Sequence, residues 1–122
     1  MADGQLSTVL RRIHHLVGAR EHDERTDGQL LDAFFGQHDE SAFASLVRRH
    51  GPMVLGVCRR VLHDWHAAED AFQATFLVLF RRARALDRRG SLAGWLHTVA
   101  YHAALKARAG AARRQRHERQ VA

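Results

Sequence analysis

Apolar residues recur at every third or fourth position along most of this chain, and a single proline, Pro52, breaks the rhythm. That period stacks side chains on one face of a helix. The alternating runs of valine, isoleucine and threonine that a half-buried strand needs are missing, while alanine, leucine and arginine favour helix throughout. The expected fold is therefore all-α: a compact bundle of three to four helices, preceded by a short amphipathic helix and followed by a basic helical extension. At 122 residues, 46% of them hydrophobic, the chain has length for one ordinary domain and apolar surface for a modest core.

The pattern divides the chain. Leu6, Val9, Leu10, Ile13, Leu16 and Val17 predict an amphipathic helix over residues 5 to 18, ending near Gly18, and AREHDERT at 19 to 26 reads as a charged linker. Residues 1 to 25 thus form an extension, and residues 26 to 108 the domain proper. Thr26 caps a first domain helix carrying Leu30, Leu31, Phe34 and Phe35 and ending at Gly36. Asp39 caps a second with Phe43, Leu46, Val47, Val54, Val57, Cys58 and Val61, where Gly51-Pro52 predicts a kink or a split. Asp64 caps a third with Ala68, Phe72, Phe76, Leu79, Phe80 and Ala83. Residues 84 to 91, RALDRRGS, read as a loop. Ser91 caps a fourth helix with Leu92, Trp95, Leu96, Val99, Ala103 and Leu105, and residues 109 to 122 form a basic linker with no apolar stripe.

Charge is distributed unevenly. Residues 1 to 47 hold four arginines against eight acids, a balance of −4, whereas residues 48 to 122 hold fifteen basic residues against five acids, a balance of +10. A positive field of that kind favours polyanions through counterion release. Eighteen of the nineteen basic residues are arginine, which suits forked contacts to phosphate or base edges; codon preference in a G- and C-rich genome explains that ratio equally well, though not the asymmetry.

Other classes are set aside on chemistry. Cys58, the one cysteine, has no disulfide partner in the chain, and no run of about 18 apolar residues could span a bilayer. Arg11, Arg12, His14 and His15 interrupt the N-terminal apolar patch before it reaches the length of a signal sequence. A cytoplasmic protein without membrane contact is expected. The histidines at 14, 15, 22, 63, 66, 97 and 102 lack a convergent third and fourth ligand at zinc spacing, so no metal or other cofactor is expected. No nucleophile elbow or phosphate-cradling glycine loop is present, so the chain reads as a non-enzyme.

On the third helix Glu69, Asp70 and Gln73 fall on one flank, with Phe72, Phe76 and Phe80 turned inward or to a groove edge. Glu69 and Asp70 also complement the positive helix N-terminus. The fourth helix presents Trp95, His97, Tyr101, His102, Lys106 and Arg108, a mixture of rings, hydrogen-bonding groups and cations that suits unpaired bases and their backbone. Trp95 lies on the Leu92, Leu96 and Val99 side, which equally suits the core. Arg113, Arg114, Arg116 and Arg119 suit phosphates or a simple solvated face.

The succession AAEDAFQATFLVLFRRA, a short arginine-containing loop, then GSLAGWLHTVAYHAALKAR resembles region 2 of the extracytoplasmic-function sigma factors of the sigma-70 family, over roughly residues 27 to 116. DAFQATFLVL and VAYHAALKARA are most like its planctomycete-type members. The resemblance implies a sigma domain that binds core RNA polymerase, through a coiled-coil of its largest subunit, and that recognises and melts the minus-ten promoter element on the non-template strand. Carried onto this sequence, the polymerase set is Glu69, Asp70, Gln73, Phe76, Leu77 and Phe80. The DNA set is Arg84, Asp87, Arg88, Arg89, Ser91, Trp95, His97, Thr98, Tyr101, His102, Lys106 and Arg108, with residues 86 to 91 as the loop that captures a flipped base. Ala74 stands where the family often has an acid, Lys106 likewise, and His102 where asparagine is common. The family continues into a region 4 domain that reads the minus-thirty-five element, and the chain ends before it. Two other readings stay open: a degenerate sigma-like module that binds an anti-sigma factor or polymerase without DNA, and a helix-turn-helix binder of duplex DNA.

Overall fold

The computed structural model describes residues 23–87 and 89–121. The helix expected over residues 5 to 18, and Arg88 of the loop, lie outside the described residues. Four α-helices follow one another: α1 (Asp27–Gln37), α2 (Glu40–Val61), α3 (Trp65–Arg82) and α4 (Leu92–Val121), with a 3-10 turn at Ala83–Ala85 continuing α3. Among the described residues there is no strand, as the helical period demands.

Each start is fixed by a side chain that occupies otherwise unpaired helix N–H groups. The Thr26 hydroxyl accepts from the Gln29 N–H at 3.1 Å while the Gln29 side chain accepts from the Thr26 N–H at 2.9 Å, a reciprocal cap. Asp39 accepts from the Ser41 N–H at 3.0 Å, Asp64 from the His66 N–H at 3.2 Å, and Ser91 from the Gly94 N–H at 3.1 Å. All four caps are those expected from the sequence. The end of α1 differs: Gly36 stays helical, and His38 takes the left-handed conformation at φ 53°. The chain must turn directly into the Asp39 cap of α2, so the reversal falls on the residue before it, and the Asp39 N–H closes back on the Ala33 carbonyl at 3.2 Å.

The split expected at Gly51-Pro52 does not occur, because α2 runs through it as a single helix of 22 residues. Pro52 is exposed while His50, Gly51 and Val54 are buried, so the backbone bond lost at proline lies on the wet side and the packed side carries the helix through. A Cβ added at Gly51 would touch the Phe72 ring at 3.5 Å, which is how closely α3 approaches here.

The core is formed where α2, α3 and α4 meet, with α1 laid on α2. Phe43, Leu46 and Val54 of α2, Phe76 and Leu79 of α3, and Leu96 of α4 are wholly buried. On α4 the deepest line is Leu92, Leu96, Ala100 and Ala104. The stripe expected from the sequence favours larger neighbours, and of these Trp95, Val99, Ala103 and Leu105 are only half-buried. Small residues on the contact line set how near two helix axes can come. Beyond Ala104 no described residue of α4 is buried, and its arginines stand in solvent.

Residues 23 to 26 are not a free linker. The Arg25 guanidinium bonds the Asp23 carboxylate at 2.6 and 2.9 Å and reaches Asp39 at 3.2 Å; Ser45 donates to Asp23 at 2.9 Å. Arg49 bonds Asp27 at 2.9 Å and the carbonyls of Asp23 and Arg25 at 2.7 and 2.8 Å, and the His50 ring meets Asp27 at 2.9 Å. The segment leading into α1 is thereby strapped to α2.

Candidate functional site

Two surfaces emerge from neighbouring helices. On α3, caps and core together decide what is exposed: Ala68, Ala71, Thr75, Phe76 and Leu79 face inward, and the buried Thr75 hydroxyl is satisfied by the Ala71 carbonyl at 2.8 Å. The opposite flank carries Asp70 and Gln73, one turn apart and exposed, with Glu69 half-buried beside them. Leu77 and Phe80 are half-buried against the core and form the edge of this flank. Phe80 belongs to a ring cluster, 5.8 Å from Phe34 and 6.4 Å from Phe43 between centroids.

Phe76 corrects an expectation. It is wholly buried, its ring 5.0 Å from that of Phe72, so it fills the core and has no surface with which to touch a partner. The three-residue step to Gln73 and the four-residue step to Phe80 put it on the inward side of the same flank.

The second surface runs along α4. His97, Thr98, Tyr101, His102, Lys106 and Arg108 are all exposed. Thr98, His102 and Lys106 succeed one another at four-residue steps, so they line one strip of the helix. Tyr101 is 45% exposed, with its ring 6.3 Å from that of His102; this aromatic pair on an otherwise cationic helix is the feature that can accept the face of a base. Thr98 donates its hydroxyl to the Gly94 carbonyl at 3.2 Å. Trp95 is half-buried and packs on the core, which supports the core half of its two readings.

Between the two surfaces lies the connector. Leu86 is half-buried and its N–H reaches the Ala83 carbonyl at 3.3 Å, which anchors the loop to the end of α3. Asp87 then organises the turn: its carboxylate accepts from the Arg89 N–H at 2.9 Å and its carbonyl from the Gly90 N–H at 3.1 Å. The Arg89 side chain is 94% exposed, and its Nε lies 3.5 Å from Asp87. Ser91 is engaged in capping α4. Arg84 stacks over the Phe35 ring of α1, 5.8 Å from its centroid.

Sequence spacing does not predict that stack, because Phe35 falls on the core stripe and nothing in the Phe34-Phe35 pair says which ring keeps a free face. Nor does it predict the exposure of Trp65, which opens α3 next to Arg59. The Cys58 thiol is wholly buried, and desolvation pushes it above the ordinary thiol range, away from reactive thiolate character. Among the described residues no group of three or more histidine, cysteine or acidic side chains could hold a metal ion, and no helix is long and apolar enough to cross a membrane.

Residues 46–116 match the family model described as Sigma-70 region 2. The chain is similar to the RNA polymerase sigma factor CarQ of Myxococcus xanthus, 37% identical over 78 residues that cover 64% of this chain and 42% of the relative. It is 34% identical over 77 residues to the ECF RNA polymerase sigma factor SigE of Mycolicibacterium smegmatis, covering 63% of this chain and 30% of the relative. With SigK of Mycobacterium tuberculosis the identity is 35% over 69 residues, covering 56% and 37%. The chain therefore spans less than half the length of the curated relatives it matches. No solved structure matches it.

Proposed function

Because the chain belongs to the sigma-70 region 2 family, we propose that it acts in transcription initiation as the part of an extracytoplasmic-function sigma factor that docks on core RNA polymerase and opens the minus-ten promoter element. It works in the cytoplasm and catalyses no reaction of its own. The domain spans residues 26 to 108, with residues 109 to 121 continuing the last helix as a basic extension.

The observation that carries this reading is the pairing of two unlike surfaces on adjacent helices. Asp70 and Gln73 stand exposed on α3, Tyr101 and His102 on α4, and the arginine-bearing loop is held open between them. Docking through the α3 flank fixes the domain on the polymerase. The α4 strip then faces the DNA, where Tyr101 and His102 stack on unpaired bases while Lys106 and Arg108 neutralise phosphates. Extruding a base from the duplex costs a few kcal/mol, and its capture at the loop of residues 86 to 91 offsets that without chemistry.

Two measurements test the reading. The full chain is mixed with bacterial core polymerase and separated by size; co-migration is expected, and its loss in the Asp70→Ala, Gln73→Ala double variant. Single-stranded oligonucleotides and their duplexes are then compared in binding at one salt concentration. Preference for the single strand, weakened in an Arg88→Ala, Arg89→Ala double variant along with the salt slope, supports the DNA half. Failure to co-migrate, or a preference for duplex, refutes the respective half.

A further inference from the structure

Three large apolar side chains are exposed among the described residues: Trp65, Tyr101 and Val121. Tyr101 has a place on the α4 strip, and Val121 ends the described helix. Trp65, 48% exposed at the first position of α3, has neither explanation.

A lone exposed apolar residue on a monomer means little. Trp65, however, is held. The Arg59 guanidinium, from the last turn of α2, lies over its ring at 5.3 Å from the centroid, and the Asp64 cap fixes the backbone on which the ring stands. It also has a position. Glu69, half-buried, comes four residues after Trp65 on α3 and Gln73, exposed, four residues after that, so the three follow one strip of the helix, with Asp70 to its side. Trp65 thus stands at the N-terminal end of the strip that leads to Gln73.

We propose that Trp65 is the apolar anchor of the polymerase-docking surface, covered on one face by Arg59 and followed along the same strip of α3 by Glu69 and Gln73. This deepens the docking half of the proposed function and rests on it. The charges around the ring decide the class of partner. Arg59 stands on the α2 side, and two acids on the α3 side: Asp64, which caps the helix directly before the ring, and Glu69, four residues after it. A phosphate backbone meets repulsion from the second group, whereas a folded protein surface can present acids to one side and cations to the other. Tryptophan and arginine are also the residues that most often carry the energy of protein interfaces, where a ring enters a desolvated pocket. The partner surface is therefore an apolar notch between an acidic and a basic edge on the polymerase.

The test uses the full chain, labelled at its N-terminus, and bacterial core RNA polymerase, with dissociation constants measured for Trp65→Ala, Trp65→Phe and the Asp70→Ala, Gln73→Ala pair. Trp65→Ala is expected to weaken core binding at least tenfold, Trp65→Phe to stay within threefold, and binding of a single-stranded oligonucleotide to be unchanged in both. Should the alanine variant melt early, Trp65→Gln keeps a long helix-compatible side chain at the same exposed site and repeats the measurement. Core binding within twofold of the parent for the Trp65 variants, while the Asp70/Gln73 pair loses it, overturns the anchor and leaves the docking reading standing. Unchanged binding by every variant overturns both. Loss of oligonucleotide affinity with core binding retained assigns the corner to nucleic acid and overturns the proposal.

Discussion

Asp87 holds Arg89 twice: its carboxylate accepts the Arg89 backbone N–H at 2.9 Å and lies 3.5 Å from the Arg89 Nε. An exposed ion pair of this kind does little for stability. Its effect is on shape, since a short side chain bonding the backbone two residues on imposes a turn and aims the residues beyond it. Asp87→Ala is therefore expected to leave the thermal midpoint unchanged and to weaken binding of single-stranded DNA several-fold, while Asp87→Asn, which keeps the acceptor, retains most of it. Titration of a labelled oligonucleotide checks this; equal loss in both variants contradicts it.

His38 is the one non-glycine residue with positive φ among those described. A left-handed residue with a Cβ carries a strain that glycine does not. His38→Gly is expected to raise unfolding stability by about 0.5–1 kcal/mol. Urea denaturation tracked by circular dichroism reads it, and a lowered midpoint contradicts the assignment of His38 as the helix stop.

The strap at the start of α1 predicts sensitivity to acid. Arg25 holds the Asp23 carboxylate well below its ordinary value of 3.8, with further help from the Arg25 N–H and Ser45, against an opposing contribution from burial. Because the folded state binds that proton more weakly than the unfolded chain, the stabilisation is complete above the unfolded value and drains away as pH falls below it. Asp23→Asn is expected to lower stability by about 1–3 kcal/mol at pH 7. The gap between variant and parent should narrow between about pH 4 and pH 2. Denaturation midpoints at three pH values test this, and a gap independent of pH contradicts it.

Burial separates two kinds of residue on α3. Phe76→Ala empties a wholly buried site and is expected to cost about 3–5 kcal/mol. Asp70→Ala with Gln73→Ala alters an exposed flank and should stay within about 0.5 kcal/mol. Any loss of polymerase binding in the second variant then reports on contact and not on folding. A second variant that melts as early as the first contradicts the placement of the flank.

The all-α class, the four caps and the order of helices are legible in the sequence because each rests on local chemistry: a hydroxyl or carboxylate before an apolar stripe needs no tertiary knowledge to be recognised. What escapes it is decided between helices. Gly51-Pro52 signals a break locally, yet packing on either side of Pro52 carries α2 through. The contact line of α4 is set by Ala100 and Ala104, which a search for large apolar residues passes over. Phe76 and Phe80 share one stripe in sequence, but only the finished bundle makes one of them core and the other an edge. Residues 23 to 26 look like a solvated charge run until Arg49 and Ser45, some twenty positions away, are brought beside them. The proposed contacts Asp70, Gln73, Tyr101 and His102 come from the family resemblance, and their exposure is what the helical pattern leads one to expect; Phe35 beneath Arg84 and Trp65 beside Arg59 are stacking partners from other helices, which no spacing rule connects.

On the proposed function, one small bundle carries a protein-gripping face on α3 and a DNA-gripping face on α4. The most direct test measures both affinities, for core polymerase and for single-stranded DNA, in two double variants: Asp70→Ala with Gln73→Ala, and Tyr101→Ala with His102→Ala. A clean exchange is expected, in which the first pair loses polymerase and keeps DNA while the second loses DNA and keeps polymerase. Loss of both affinities to the same extent in both pairs, or of neither, contradicts two separate faces.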